Sequence, residues 1–393
     1  METHSWRNVA GVVLALALPA CLPAQRSVAA DAASHLLSRA QVEALLARRP
    51  ACLEGYRTNQ TGMLSRSDAP PGVRAESTFT VETLSVPSSG VVIRSWLYLP
   101  KQPANARVPA IVLTNGGGDG SRPIKSLSDW IAPVLAHCGI AALVHDKRGT
   151  GESGGRFVET TYDDYATDAG NLAVFLTRHP RINPKLIGVL GGSEGGRVAV
   201  LAASRYPAVT FVVSFAGTVV SAQEDRVYAQ MGGLRSRGIP DSVIAAVEPL
   251  WRRSFAAWAS DTPADHDRVN AEIAEARRRF PQDVLPFPKA EMEAIPDFAA
   301  VLPTWRSLGR DYMTELERFR KPWLAMFGEV DQVVPTQASV RNVQRLMAQS
   351  RNTQYSIAVI PRCGHAPVDV ETRRMIRLDN LILNWLTDHV LRG

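Results

Sequence analysis

Ser193 stands in "LGGSEGG", where an apolar run stops at glycines and a small-residue helix pattern begins at once. Gly191-Gly192-Ser193-Glu194-Gly195 fits a Gly-x-Ser-x-Gly corner between a strand and a helix, which would expose a serine hydroxyl. A serine hydroxyl is a weak nucleophile at neutral pH and needs a base within reach. His4 falls in an apolar leader, while His35, His179, His266 and His389 lie in polar or helical stretches and read as surface residues. His137 is on a helix and His145 ends a strand. His365, in "PRCGHAP", follows the last apolar strand pattern and sits in a loop, so it is the expected base. "FGEVDQVVP" offers Glu329 and Asp331 as the acid that would hold the imidazole. Asp331 is the choice, with Glu329 the fallback and a turn-capping carboxylate before Pro335 the plainer alternative.

The charge that builds on a reacting carbonyl oxygen needs donors aimed at it. Glu194 would supply one through its backbone N–H at the helix start. "NGGGDG", beginning at Asn115, follows an earlier apolar run, and the Gly117 N–H is the expected second donor. A glycine-rich turn that only packs a helix on a strand would look similar, as would a phosphate loop. The corner lacks both the Walker lysine and the Gly-x-Gly-x-x-Gly spacing. Cys363 lies close to His365, but Ser193 has much the better nucleophile context.

These residues need a scaffold, and the chain outlines one. "FTVETLSVP" and "VVIRSWLYLP" alternate and read as an antiparallel hairpin. "AIVLT", "IAALVH", "KLIGVLGG", "VTFVVSF", "PWLAMFG" and "YSIAVIP" are continuous apolar runs, as strands buried on both faces would be. Helical patterns alternate with them, at "WIAPVLAHCG", "YDDYATDAGNLAVFLTRHP", "EGGRVAVLAASRYP" and "TQASVRNVQRLMAQS", with a last helix running to Val390. The implied fold class is α/β: a mostly parallel sheet with helices on both faces. Residues 79–218 and 319–393 would form that core. Residues 219–318 interrupt it as a helical insertion, which in this place would cap the site.

The N-terminus has a charged start, an apolar run from Val9 to Ala20 and small residues at Val28-Ala29-Ala30. Residues 1–30 therefore read as a signal peptide, and export to the periplasm or medium is the expected localisation. Lipoprotein processing at Cys21 is the alternative. The apolar run is too short for an integral membrane span. Residues 31–78 read as an N-terminal extension, helical from Asp31 to Arg49 and then irregular. Beyond the leader, Cys52, Cys138 and Cys363 allow one disulfide without specifying it. Net charge is +6, spread along the chain without a dense basic run, so no nucleic-acid partner is expected.

With these segments identified, the chain resembles the α/β-hydrolase superfamily, and more narrowly bacterial esterases and dipeptidyl-aminopeptidase-like serine hydrolases. "HDKRGTGES", "IGVLGGSEGG", "FGEVDQVVP" and "RCGHAP" carry the resemblance. Asn115 and Gly192 stand where many members have histidine. The resemblance implies an α/β-hydrolase fold, a Ser193–His365–Asp331 triad and a mainly structural loop around Asp146, Arg148 and Ser153, with Arg148 bracing its neighbours. In the insertion, Trp251 and Trp258 alternate with Arg252 and Arg253 as an amphipathic cap helix would. Trp305 and Tyr312 follow.

The leading expectation is a serine hydrolase that cleaves a carboxylic ester through an acyl-enzyme, without metal or organic cofactor. Its partner would be a small-molecule ester or a short acyl or peptidyl substrate. An aminopeptidase would need cap carboxylates, from Glu224, Asp225, Glu291 or Glu293, aimed at a substrate ammonium. A binding protein that keeps the fold without turnover is the third reading.

Overall fold

The computed structural model describes residues 35–54, 78–103, 105–117, 127–260, 262–286 and 307–392. The leader with Cys21, and also Gly118, Glu291, Glu293 and Trp305, lie outside the described residues.

Among the described residues, eight strands form one sheet: β1 (Phe79–Ser88), β2 (Val91–Pro100), β3 (Val108–Thr114), β4 (Ala141–His145), β5 (Ile182–Gly192), β6 (Phe211–Phe215), β7 (Trp323–Gly328) and β8 (Tyr355–Ile360). Their order across the sheet is β1-β2-β4-β3-β5-β6-β7-β8. β1 pairs antiparallel with β2, and β2 with β4; every other pairing is parallel. Ser89 and Gly90 close the hairpin with positive φ, the geometry of a two-residue turn that matches strand twist. The described helices are α1 (Arg39–Ala47), α2 (Leu127–His137), α3 (Tyr162–Thr177), α4 (Glu194–Arg205), α5 (Ala222–Ser236), α6 (Asp241–Ser260), α7 (Pro263–Ala276), α8 (Met313–Leu316), α9 (Thr336–Ser350) and α10 (Leu378–Leu386).

Successive side chains on a strand point to opposite faces, and the core divides accordingly. Val112, Val189, Val212 and Ala325 pack with Leu172 of α3, Leu201 of α4 and Val343 of α9. Leu113, Leu190, Val213 and Met326 pack with Val42 of α1, Leu135 of α2 and Leu381 of α10. The α/β-hydrolase layers thus follow from continuous apolar strands. The insertion has its own core, with Leu234, Trp251, Phe255, Trp258 and Ile273 buried. Trp251 Nε1 donates to Val284 O at 3.0 Å, while Arg252 pairs with Glu224 and Glu248 on the exposed side. The tryptophans face inward and the arginines outward, as amphipathic spacing predicts.

The N-terminal extension differs from its sequence reading. Its helix starts only at Arg39, because Ser38 and Gln41 form a capping box there. Ahead of that cap, Leu36 bridges Ile357 in parallel, so the chain pairs with β8. Val42 and Leu53 are fully buried, and Cys52 is disulfide-bonded to Cys138 just past α2. The described part is therefore built into the core. Composition could not reveal this, because the pairing partner lies far away in the chain. Among the described residues, no helix is long and apolar enough to cross a membrane.

Candidate active site

The C-terminal ends of β3, β4, β5, β7 and β8 converge on Ser193. This residue has φ 55° and ψ −124°, a conformation that costs a non-glycine residue about 1–3 kcal/mol. Its N–H donates to Phe215 O at 2.8 Å, which ties the corner to β6. A Cβ at Gly191 would strike the Gly195 carbonyl, and one at Gly195 would strike the Thr114 carbonyl. The glycines therefore let the sharp turn close against β3, and α4 begins directly beyond Ser193.

Ser193 Oγ lies 3.0 Å from His365 Nε2, and His365 Nδ1 lies 3.0 Å from Asp331 Oδ2. His365 comes from the loop after β8, and Asp331 from the loop after β7. Asp331 is fully buried at its side chain, and the imidazole keeps about a third of its surface exposed, 31%. Asp331 Oδ1 accepts the N–H groups of Val333 and Val334 at 2.7 and 2.9 Å, leaving Oδ2 for the histidine. Tyr228 of α5 donates to Asp331 O at 2.9 Å, so the cap touches the acid's loop. The order of residues allows proton transfer from the serine hydroxyl to an imidazole oriented by a carboxylate.

The fallback acid is placed elsewhere. Glu329 is exposed, pairs with Arg39 and accepts the Arg362 N–H at 2.8 Å. Cys363 is buried beside the histidine loop, and burial first, then Asp331, pushes its thiol up to about 12. A thiol held neutral in this way is a poor nucleophile. His145 is also buried, and burial pushes its imidazole below the ordinary range. Arg148 binds Asp168 through two nitrogens, at 3.0 and 2.6 Å, and donates to Ser88 O. It braces the β4 loop against α3 and β1.

Asn115–Gly117 reach the serine from β3. A Cβ at Gly116 would lie 3.6 Å from Ser193 Cβ, and one at Gly117 would lie 3.8 Å from Glu194 Oε2. Sequence reasoning valued Glu194 for its N–H alone and passed over Lys147. Lys147 Nζ pairs with Glu194 Oε1 at 2.6 Å, with both side chains more than nine-tenths buried, and also donates to Gly116 O. The Tyr165 ring lies 4.9 Å from the ammonium. A lysine just after β4 and a glutamate just after the serine were the available signals. Their meeting depends on strand order, which no local pattern reports. Of the cap carboxylates, Asp225 is buried between Arg226 at 2.9 Å and Arg197 at 3.6 Å, and Glu224 pairs with Arg252. Among the described residues, no group of three or more His, Cys, Asp and Glu gathers as a metal site would need.

Residues 106–372 match the family described as serine aminopeptidase, S33. The chain belongs to this family. It is 32% identical over 181 residues to the uncharacterized protein PA2218 of Pseudomonas aeruginosa, covering 44% of this chain and 45% of that protein. The thiohydrolase apmlB of Arthrinium phaeospermum is 33% identical over 126 residues, covering 32% of this chain and 39% of its own. The family member thus spans less than half the length of these curated relatives. The solved structure of PA2218 aligns with TM-score 0.50 at 20% identity, over 80% of this chain and 95% of that one. A Pyrococcus horikoshii acylaminoacyl peptidase aligns with TM-score 0.51 at 14% identity, over 79% of this chain and 42% of that one. These likenesses bear on the fold. With the family match, they give the chain the α/β-hydrolase fold.

Proposed function

We propose that the protein is an exported hydrolase that cleaves a carboxylic ester, with Ser193 as nucleophile, His365 as base and Asp331 as the acid that orients it. The observation that carries the reading is the unbroken chain from Ser193 Oγ through His365 to Asp331, with both hydrogen bonds at 3.0 Å. His365 Nε2 takes the hydroxyl proton as Oγ attacks the ester carbon. The Glu194 and Gly117 N–H groups receive the oxyanion. The carbon–alkoxide bond then breaks, and His365 gives its proton to the departing alcohol. Water, deprotonated by His365, attacks the acyl-enzyme and releases the acid and the free serine.

An ester is favoured over a free N-terminus because the described carboxylates near the cap and the serine are already neutralised by Arg197, Arg226, Arg252 and Lys147. The family's description favours a second reading, a peptidase on the same three residues. A panel of p-nitrophenyl acyl esters, acyl thioesters and aminoacyl-naphthylamides separates these readings, and we expect the oxygen esters to turn over fastest. Cleavage of the naphthylamides alone would reverse the order. A fluorophosphonate probe should label the wild type and not Ser193→Ala. Equal labelling of both, or of neither, would leave the chain without this nucleophile and favour a binding role.

Support for export comes from the leader pattern and from the Cys52–Cys138 disulfide, a bond that persists in oxidising compartments. Mass spectrometry of the mature N-terminus should find cleavage before Asp31. A diacylglyceryl group on Cys21 would instead mark a lipoprotein.

A further inference from the structure

We propose that Lys147 is a positioning residue for the oxyanion hole, fixing the direction of the Gly117 N–H and tying it to the segment that carries the Glu194 N–H. This rests on the serine-hydrolase reading above.

Three strand ends make the arrangement. β3 lies between β4 and β5, so the loop after β3 is flanked by Lys147 on one side and by Ser193-Glu194 on the other. Lys147 Nζ reaches across to both, donating to Gly116 O and pairing with Glu194 Oε1 at 2.6 Å. The Gly116 carbonyl and the Gly117 N–H belong to one planar peptide group. In a trans peptide they point in opposite directions. Holding the carbonyl toward the ammonium therefore turns the N–H away from it. Gly116 itself lies against the serine, since an added Cβ would sit 3.6 Å from Ser193 Cβ and 3.5 Å from Gly192 O.

Two adjacent glycines have no side chains with which to resist rotation of that peptide. The restraint has to come from outside the loop, and the lysine supplies it. Drawing electron density toward the carbonyl oxygen also makes the N–H of the same peptide a stronger donor. Glu194 has a matching part. Its carboxylate is buried one residue from the nucleophile, where an unpaired negative charge would oppose an oxyanion. Lys147 neutralises that charge, and the carboxylate in turn holds Nζ in place. The Tyr165 ring, 4.9 Å away, closes another side of the ammonium, and burial pushes the Tyr165 phenol up, keeping it uncharged.

The discriminating variant is the double substitution Lys147→Met with Glu194→Met, which removes the tether together with the carboxylate that Lys147 neutralises. Lys147→Met alone should lower the thermal midpoint more than the double variant does. With active serines titrated by fluorophosphonate, the double variant should lose about 100-fold in kcat, the loss expected when one oxyanion donor is misplaced, with KM within about threefold. A trifluoromethyl ketone, which adds to the serine and forms an oxyanion, should weaken by the same factor. The methyl ketone of equal chain length should bind as it does to the wild type. Turnover per titrated serine within threefold of wild type, or equal weakening of both ketones, overturns the proposal and leaves Lys147 as packing or charge neutralisation only. Failure of the wild type to label at Ser193 overturns the serine-hydrolase reading, and this inference falls with it. Normal labelling with unchanged double-variant turnover overturns this inference alone.

Discussion

Asp331 engages both of its carboxylate oxygens, and this makes an isosteric substitution there informative. Oδ1 is held by two backbone N–H groups and Oδ2 faces His365 Nδ1. An asparagine would have to offer its single oxygen to the Val333 and Val334 donors, turning its NH₂ toward the imidazole. Nδ1 would then have to accept, and Nε2 would carry the proton and could not take one from Ser193. Asp331→Asn is therefore expected to lower kcat by about 10⁴-fold while leaving the fold intact. Steady-state kinetics beside a circular dichroism melt would check both halves. A loss of less than tenfold would mean that His365 is oriented by something else. The linear chain favours Asp331 and leaves Glu329 as a fallback only two residues away. What separates them is that Glu329 projects to the surface, toward Arg39 and the Arg362 N–H.

At the scale of an element, the loop between β8 and α10 has to hold His365 without regular secondary structure. Asp369 organises it: Oδ1 accepts the Glu371 and Thr372 N–H groups, and Oδ2 accepts Arg362 Nε at 2.8 Å. The hydrogen bond from Thr372 leads in holding its carboxyl down at about 2, with Arg362 and Glu371 adding to it. Because the folded value is depressed, this stabilisation is complete above the ordinary carboxylate range and is lost as pH falls through it toward 2. Wild type should therefore melt above Asp369→Asn by a constant margin from pH 5 to 7, and the margin should close from about pH 4 downward. A margin undiminished at pH 2.5 would contradict this. Most strands and helices were legible because buried parallel strands read as unbroken apolar runs and stretches of helical apolar spacing lie between them, whereas the capping box that starts α1 at Arg39 was missed. The Lys147–Glu194 pair was not legible, since it needs β4, β3 and β5 side by side. The Cys52–Cys138 bond was not either, since three cysteines fit three pairings.

For the whole molecule, that disulfide joins the N-terminal segment to the turn between α2 and β4. This lies at the end of the sheet opposite Ser193. Cross-linking two residues separated by 86 positions stabilises mainly by restricting the unfolded chain. Cys52→Ser with Cys138→Ser should cost about 2–5 kcal/mol, read as a lower denaturant midpoint. Turnover of the folded protein should be unchanged, and a large fall in kcat below the melting range would show coupling between the two ends of the sheet.

The residues just before α1 have a second consequence. β8 is the last strand of the sheet, and its outer edge is occupied there: Leu37 N–H donates to Ile357 O at 2.9 Å and Ile357 N–H to His35 O at 2.8 Å. An uncovered strand edge is a template for pairing with another chain. The N-terminal segment therefore guards against aggregation, and the disulfide keeps the guard attached. Reductant or a proteolytic nick in this segment would free the β8 edge and favour self-association before the sheet itself melts.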